Sequence, residues 1–182
     1  MTKRTFIAIN LPAEVKQKLG KAIGELEKIN PDYAIRWVAP ENLHLTLHFF
    51  GDLDEKQIAQ AKEGIEEITK RINSFEMQTG KLGCFPNEDR PRVIFVEVKD
   101  TKIIRTLIGE LEVMLQNLDF PVDTRPWQAH ITLGRIKTYI KSKTAGVVME
   151  PMSFEVKSVE LMESRLTPEG SVYLVIKSFP LK

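Results

Sequence analysis

Cysteine and net charge are both scarce in this chain of 182 residues. Cys84 is the only cysteine, and the formal net charge is +1. A single cysteine excludes an intrachain disulfide and a metal site built from cysteines. The near-zero charge excludes a global attraction to nucleic acid, so any basic binding site must be local. The length allows either one domain or two small lobes.

Long apolar segments are also missing. No run approaches the ~18 residues that a membrane-spanning helix needs, and residues 1–10 are too short and too polar for a secretory signal. Apolar residues make up 42% of the chain and charged residues 28%, as in ordinary globular proteins. The composition therefore predicts a soluble, cytoplasmic protein that makes no membrane contact.

Histidine is rare, and its distribution is not random. Two of the three histidines occur in one tetrapeptide pattern, His44-Leu45-Thr46-Leu47 and His130-Ile131-Thr132-Leu133. From average residue usage, a histidine followed by x-Thr-Leu is expected about once in two hundred histidines. Two chance occurrences of this HxTx motif in so short a chain are improbable.

Hydrophobic periodicity predicts an α+β protein in which strands and helices alternate. Asp54, followed by Gln57, is predicted to cap the second helix. The region 139–148 is less periodic and is assigned a short helix. Strands are predicted over about 5–9, 43–50, 75–82, 93–96, 129–136, 154–162 and 171–176, and helices over about 12–29, 54–72 and 101–118.

Three spacings indicate an internal repeat. Ser74-Phe75-Glu76 matches Ser153-Phe154-Glu155, and in each case a further strand begins eighteen positions later. The first strand precedes its motif histidine by thirty-six positions, counted from Ala8 to His44 and again from Ile94 to His130. The sequence therefore predicts one domain, 1–182, made of two duplicated units at approximately 1–83 and 92–182.

The motifs carry chemistry because side chains alternate between the two faces of a strand. Each histidine shares a face with its threonine, and the intervening aliphatic residues point to the core. Imidazole has a reference pKa of about 6.5, so one histidine can accept a proton while the other donates one. Threonine hydroxyls can hold an anionic centre. This arrangement suits displacement at phosphorus.

At these residues the chain resembles the two-histidine (2H) phosphoesterases. Within them it is similar to the RNA 2′,3′-cyclic phosphodiesterases, also called 2′-5′ RNA ligases. The resemblance covers essentially the whole chain. It depends on four segments: Arg4-Thr5-Phe6-Ile7-Ala8-Ile9, Arg36-Trp37-Val38, Asn42-Leu43-His44-Leu45-Thr46-Leu47-His48-Phe49-Phe50-Gly51, and Gln128-Ala129-His130-Ile131-Thr132-Leu133-Gly134-Arg135.

The resemblance implies a bilobal fold: two pseudo-symmetric antiparallel-sheet lobes, helices on their outer faces, and a central cleft. It implies hydrolysis of an RNA 2′,3′-cyclic phosphate to a 2′-phosphate, with His44 as proton donor and His130 as proton acceptor. Ligation would be the same chemistry with an RNA 5′-hydroxyl in place of water, without ATP. The implied enzyme is a monomer that uses no metal or other cofactor and acts on RNA ends such as those of tRNA fragments.

Further residues are candidates for substrate binding. In related enzymes an arginine five residues after the second histidine helps to hold phosphate, which makes Arg135 a candidate if a bulge or twist turns it toward His130. His48 shares the parity of His44, although a partly exposed strand histidine is the simpler interpretation. Phe50 is a candidate for stacking on a base, with core packing as the alternative. A local basic rim could come from Arg36, Arg90, Arg92 and Arg125.

Two other hypotheses remain open from the sequence. The substrate could be another cyclic phosphodiester, for example a small cyclic nucleotide. The cleft could also bind a nucleotide or an RNA end without turnover, although both motifs are intact.

Overall fold

The structure, a computed structural model, describes residues 1–31, 35–123, 125–137, 147–168 and 170–182. These ranges contain three α-helices, α1 (Ala13–Ile29), α2 (Glu55–Thr69) and α3 (Lys102–Asn117), and a short 3₁₀ helix, Pro40–Asn42. The strands are β1 (Lys3–Asn10), β2 (Ile35–Trp37), β3 (His44–Leu53), β4 (Phe75–Phe85), β5 (Val93–Val98), β6 (His130–Ile136), β7 (Ser153–Val156), β8 (Ser158–Leu166) and β9 (Ser171–Pro180). The α+β class is confirmed.

The helix starts follow from capping chemistry. The Asp54 carboxylate accepts from the backbone N–H of Gln57, and the Gln57 side chain accepts from the backbone N–H of Asp54. Thr101 caps α3 by accepting from the N–H of Ile104. Each cap satisfies donors that the first helical turn leaves without partners. β2 and the 3₁₀ helix were not predicted, because three residues are too few to show a period. Most of the helix predicted over 139–148 falls outside the described residues.

The nine described strands form one antiparallel sheet that curls on itself. Their order is β7-β4-β5-β6-β3-β1-β8-β9, and β2 also pairs with β6. The two motif strands, β3 and β6, are neighbours at the centre, joined at Leu45 and Ile131. The arms on either side match, with β5 and β4 beyond β6, and β1 and β8 beyond β3. Two pseudo-symmetric lobes thus share a single sheet.

The pairing around the motifs shows how far the two lobes correspond. Ala8 lies opposite Thr46 in one lobe, whereas Phe95, not Ile94, lies opposite Thr132 in the other. The spacing of thirty-six residues would place Ile94 opposite Thr132, which is one position away from the observed partner, Phe95. Both lobes have a register shift just beyond the threonine, between Ile7 and Ala8 and between Ile94 and Phe95, so the difference arises from a connection that is one residue shorter in the second lobe. The limits of the duplicated units stay a prediction.

The main core lies between the helices and one face of the sheet. Leu45, Leu47, Ile131 and Leu133 are almost completely buried there. Each helix adds one apolar stripe to the same cluster, as the sequence pattern predicts. The opposite sheet face therefore remains open for the histidines and threonines. No helix within the described ranges has the length and apolar character needed to cross a membrane.

A close approach fixes the short strand β2 against β6. A Cβ atom added at Gly134 would lie 2.7 Å from Cε3 of Trp37 and 3.0 Å from Cγ2 of Ile35. Trp37 lies opposite Gly134 in the ladder, so its indole ring packs directly over the glycine backbone. Only glycine leaves this space free, at a point two residues after Thr132.

We therefore expect Gly134→Ala to destabilise the protein by about 1–3 kcal/mol, because the added methyl group overpacks the site. Thermal unfolding should report a lower Tm. Gly109→Ala in α3 is the matched control, since nothing lies within 4 Å of the added Cβ there. That change should be neutral or stabilise the helix by up to about 1 kcal/mol. An unchanged Tm for Gly134→Ala would contradict the packing described for Trp37.

Candidate functional site

A cavity of about 440 Å³ opens on the sheet face that carries the motif side chains. His44, Thr46, His130 and Thr132 all line it. The predicted convergence of the two motifs on one space is therefore what the structure shows. Other lining residues come from β1, β3, β6, β8, β9 and the segments before β3 and β6: Arg4, Phe6, Val38, Asn42, Phe49, Arg125, Arg135, Ser164, Leu166, Ser171 and Tyr173.

The two imidazoles are held in the same way. Nδ1 of His44 lies 2.7 Å from the carbonyl oxygen of Asn42, and Nδ1 of His130 lies 2.8 Å from that of Gln128. A carbonyl can only accept, so Nδ1 carries the proton in both rings. In the neutral tautomer Nε2 then keeps a free lone pair. Either ring can accept a proton at Nε2, or donate one after it has been protonated.

Aromatic rings enclose both histidines, but the two enclosures are not equivalent. His44 has ring neighbours in Phe6 and Tyr173, each with a centroid at 5.0 Å. His130 packs edge-on against Phe85 at 5.0 Å and against Phe95 at 5.5 Å. These contacts fix the ring planes and remove water from their faces.

The same burial shifts the acid–base properties of both rings. Desolvation lowers the pKa of His44 and that of His130 from the ordinary 6.5, and the charge of Arg135 lowers both further. His44 also feels the charges of Lys16 and His130. The bonds to the carbonyls of Asn42 and Gln128 act in the opposite direction but are the smaller effect. Both histidines are thus neutral near pH 7.

The threonines differ in their present contacts. The Thr46 hydroxyl lies 3.0 Å from Nε2 of His44 and can donate to its lone pair. In the part of the chain that the structure describes, Thr132 makes no equivalent bond to His130. Nε1 of Trp127 donates to the carbonyl of Thr46 at 3.1 Å, which ties β3 to the segment before β6. Trp127 therefore helps to hold the two motif strands together.

A bulge in each motif strand determines which later residues reach the cavity. The ladder between β1 and β3 skips Leu47, and the ladder between β5 and β6 skips Leu133. Each skipped residue reverses the alternation beyond it. The bulge at Leu133 turns Arg135 onto the face of His130, so that Arg135 lines the cavity. This is the condition under which Arg135 is a candidate for phosphate binding.

Phe49 is a cavity residue that sequence reasoning missed. Its ring is 47% exposed, lines the cavity, and has the Arg4 guanidinium 4.8 Å from its centroid. Strict alternation had assigned this face to His48 and Phe50 instead. A usable signal was present, because Phe49 lies five residues after His44, as Arg135 lies five after His130.

The structure does not bring His48 or Phe50 into the cavity. Phe50 is 7% exposed and packs edge-on between His48 and Phe120, so its ring is not available to a base. The physical reason is the bulge at Leu47, which turns Phe50 to the core. His48 is partly buried beside Phe50, and its buried Nε2 has no hydrogen-bond partner among the described residues.

The proposed basic rim is represented in the cavity by Arg125, which also forms an ion pair with Asp123. Arg36, Arg90 and Arg92 are not among its lining residues. Within the described ranges, no three His, Cys, Asp or Glu side chains lie close enough together to hold a metal ion.

Comparison with known proteins gives a consistent result. The sequence model of the LigT-like phosphoesterase family matches residues 9–95 and, separately, residues 96–173. The chain is similar to the RNA 2′,3′-cyclic phosphodiesterase of Archaeoglobus fulgidus, with 30% identity over 181 residues, covering 97% of this chain and 99% of the relative. The Thermotoga maritima protein of the same name is 32% identical over 176 residues, covering 95% and 92% of the two chains.

Solved structures show the same fold. A protein of Thermus thermophilus superposes with a TM-score of 0.82 at 29% identity, covering 98% of this chain and 97% of the other. E. coli LigT, crystallised with 3′-AMP, gives a TM-score of 0.81 at 25% identity, covering 100% and 99%.

The shifted pKa values predict how the histidines titrate. In an NMR titration, His44 and His130 should both protonate below pH 6.5. Inorganic phosphate should raise both pKa values, because an anion in the cavity stabilises the imidazolium form. His48, whose pKa burial also lowers, lies outside the cavity and serves as the internal control.

The same pKa shifts determine how the free energy of unfolding changes with pH. The unfolded chain takes up protons near pH 6.5, whereas the folded histidines do so only at lower pH. The free energy of unfolding should therefore be full above pH 6.5 and decline as the pH falls through that value. For the phosphate titration, an equal change in the resonances of His44, His130 and His48, or no change in any of them, would show that the cavity is not an anion site.

Proposed function

The chain belongs to the LigT-like phosphoesterase family, and we propose that it hydrolyses the 2′,3′-cyclic phosphodiester at RNA ends to a 2′-phosphate. The observation that carries the proposal is the cavity itself. Two imidazoles line one space, and each has its Nδ1 occupied by a carbonyl, which makes Nε2 the atom for proton transfer. Such a pair can deliver and remove a proton around a single phosphorus atom.

The reaction needs one base and one acid. Nε2 of His130 accepts a proton from water as the water oxygen forms a bond to phosphorus. The bond between phosphorus and the 3′ oxygen breaks, and protonated Nε2 of His44 donates its proton to that oxygen. The products are a 2′-phosphate and a free 3′-hydroxyl.

The lowered pKa values of the two histidines fit these roles differently. A lowered pKa keeps His130 neutral, as a base must be. His44 has to be protonated, and the negative charge of the bound phosphodiester opposes the effect of burial and raises its pKa. Binding of the anionic substrate is thus what prepares the acid.

Three further side chains are suited to the phosphate. The hydroxyls of Thr46 and Thr132 can donate to its non-bridging oxygens, where negative charge grows in the transition state. Arg135 lies close enough for its charge to lower the pKa of both histidines, so it also acts on an anion between them. For stacking on a nucleobase of the RNA, Phe49 offers an exposed ring, whereas the ring of Phe50 is buried.

The substrates we propose are RNA fragments with a cyclic phosphate end, tRNA fragments among them, and the enzyme works as a monomer in the cytoplasm. Reversible 2′-5′ ligation would use an RNA 5′-hydroxyl as the incoming group, without ATP. A small cyclic nucleotide is the alternative substrate, because the similar protein E. coli LigT was crystallised with the mononucleotide 3′-AMP.

We expect His44→Ala and His130→Ala each to reduce turnover by about 10²–10⁴-fold, since each removes one proton-transfer group. The assay is conversion of an RNA 2′,3′-cyclic phosphate in the presence of EDTA, with identification of the 2′- or 3′-phosphate. His48→Gln is the matched control, because His48 lies outside the cavity; it should keep activity within a few-fold.

All three variants should remain folded, which circular dichroism and thermal unfolding can verify. No conversion by the unsubstituted protein would reject the enzymatic proposal and favour a binding module. A 3′-phosphate product would show that the 2′ oxygen leaves instead.

The acid and base assignments can be separated with a substrate whose 3′ bridging oxygen is replaced by sulfur. A thiolate leaves without protonation, because thiols have a pKa near 8.5, far below that of an alcohol. His44→Ala should therefore recover most of its lost rate on this substrate, while His130→Ala should not. Recovery of His130→Ala alone would reverse the two roles.

A further inference from the structure

Arg36 in β2 lies directly opposite Arg135 in β6. Side chains at opposed positions of an antiparallel pair point to the same face of the sheet. Ile35 and Trp37, on either side of Arg36, pack against the main core. Arg135 lines the cavity, so Arg36 points to the cavity face of the sheet.

This arrangement is unfavourable without a third component. Two like charges directly opposite each other on neighbouring strands repel and destabilise the pair. Two other arginines near the cavity have carboxylate partners, Asp123 for Arg125 and Glu163 for Arg165, whereas Arg4 lies over the Phe49 ring. Within the described ranges, neither Arg36 nor Arg135 has a carboxylate at ion-pair distance.

We propose that Arg36, beside Arg135, binds the phosphodiester group on the 5′ side of the nucleotide that carries the cyclic phosphate. This inference rests on the proposed function. Arg135 faces the reacting phosphate, and Arg36 lies one strand farther out, where the next phosphate of the chain would continue. An anion at this position offsets the repulsion between the two guanidinium groups.

The consequence is a preference for oligonucleotides over single nucleotides. A nucleoside 2′,3′-cyclic phosphate has no second phosphate and gains nothing from Arg36. A dinucleotide has one. Arg36 therefore determines which substrates are used without taking part in bond making or breaking.

The test compares Arg36→Met with the unsubstituted protein on two substrates. One is adenosine 2′,3′-cyclic phosphate, and the other is a diadenosine dinucleotide that ends in the same group. We expect kcat/KM to fall about ten-fold on the dinucleotide and to stay unchanged on the mononucleotide. The slope of log(kcat/KM) against log[salt] on the dinucleotide should decrease in magnitude by about 1.

Arg71→Met is the matched control, because it removes the same charge at the surface where Arg71 pairs with Glu110 of α3. It should behave like the unsubstituted protein on both substrates. Arg36→Lys should restore part of the dinucleotide rate. The Tm of Arg36→Met at low salt should be unchanged or higher, because a repulsive pair has been removed.

An equal loss on both substrates, no loss on the dinucleotide, or a lower Tm for Arg36→Met would each overturn the inference. If the unsubstituted protein hydrolyses neither substrate, the proposed function fails instead. The phosphate site is then tested by calorimetry with two ligands. One is a dinucleotide that ends in a 2′-phosphate, and the other is adenosine 2′-phosphate. Arg36→Met should weaken only the former, and equal binding of the dinucleotide by both proteins would reject the site.

Discussion

The contact between β3 and β6 is the constraint on which the site depends. These strands pair at Leu45 and Ile131, which occupy the same place in the two tetrapeptides. Continuing this antiparallel register by one residue on either side places His44 near Thr132 and Thr46 near His130. Each histidine thus approaches the other motif's threonine across the strand boundary. The buried aliphatic side chains secure this alignment, and the Trp127 bond to the Thr46 carbonyl supports it. A slip of either strand by one residue would turn its histidine into the core.

Pseudo-symmetry explains why the site has two similar imidazoles, and local packing explains why they need not act alike. Both rings donate Nδ1–H to a carbonyl two residues earlier in the chain. Only His44 has a threonine hydroxyl of its own strand at Nε2 and the positive charge of Lys16 nearby. Lys16 itself donates to the carbonyl of Glu41, next to the residue that holds Nδ1 of His44. Roles as acid and base can therefore diverge in a fold that places them almost equivalently.

Much of the fold and the centre of the site could be predicted from the sequence. Helix α2 followed from its apolar period and the Asp54–Gln57 capping box, and the two tetrapeptides identified the histidines and threonines that share the cavity. The errors at the site have one physical origin. Alternation along a strand holds only while the ladder is regular, and the bulges at Leu47 and Leu133 are set by pairing with distant strands. For this reason strict alternation places Phe50 on the cavity face and omits Phe49, whereas Arg135 lines the cavity because the bulge at Leu133 turns it there.

Charge distribution answers the question that the composition raises, namely how a protein of net charge +1 attracts RNA. Arg4, Arg125 and Arg135 line the cavity, and Arg36 shares its face, so positive charge is concentrated where phosphate has to bind. Burial lowers the pKa of both histidines, and the charge of Arg135 lowers both further. It is the incoming anion that offsets the arginines and allows one imidazole to hold a proton. Substrate charge and catalytic protonation are therefore coupled, and a neutral ligand of the same shape would leave the acid unprotonated.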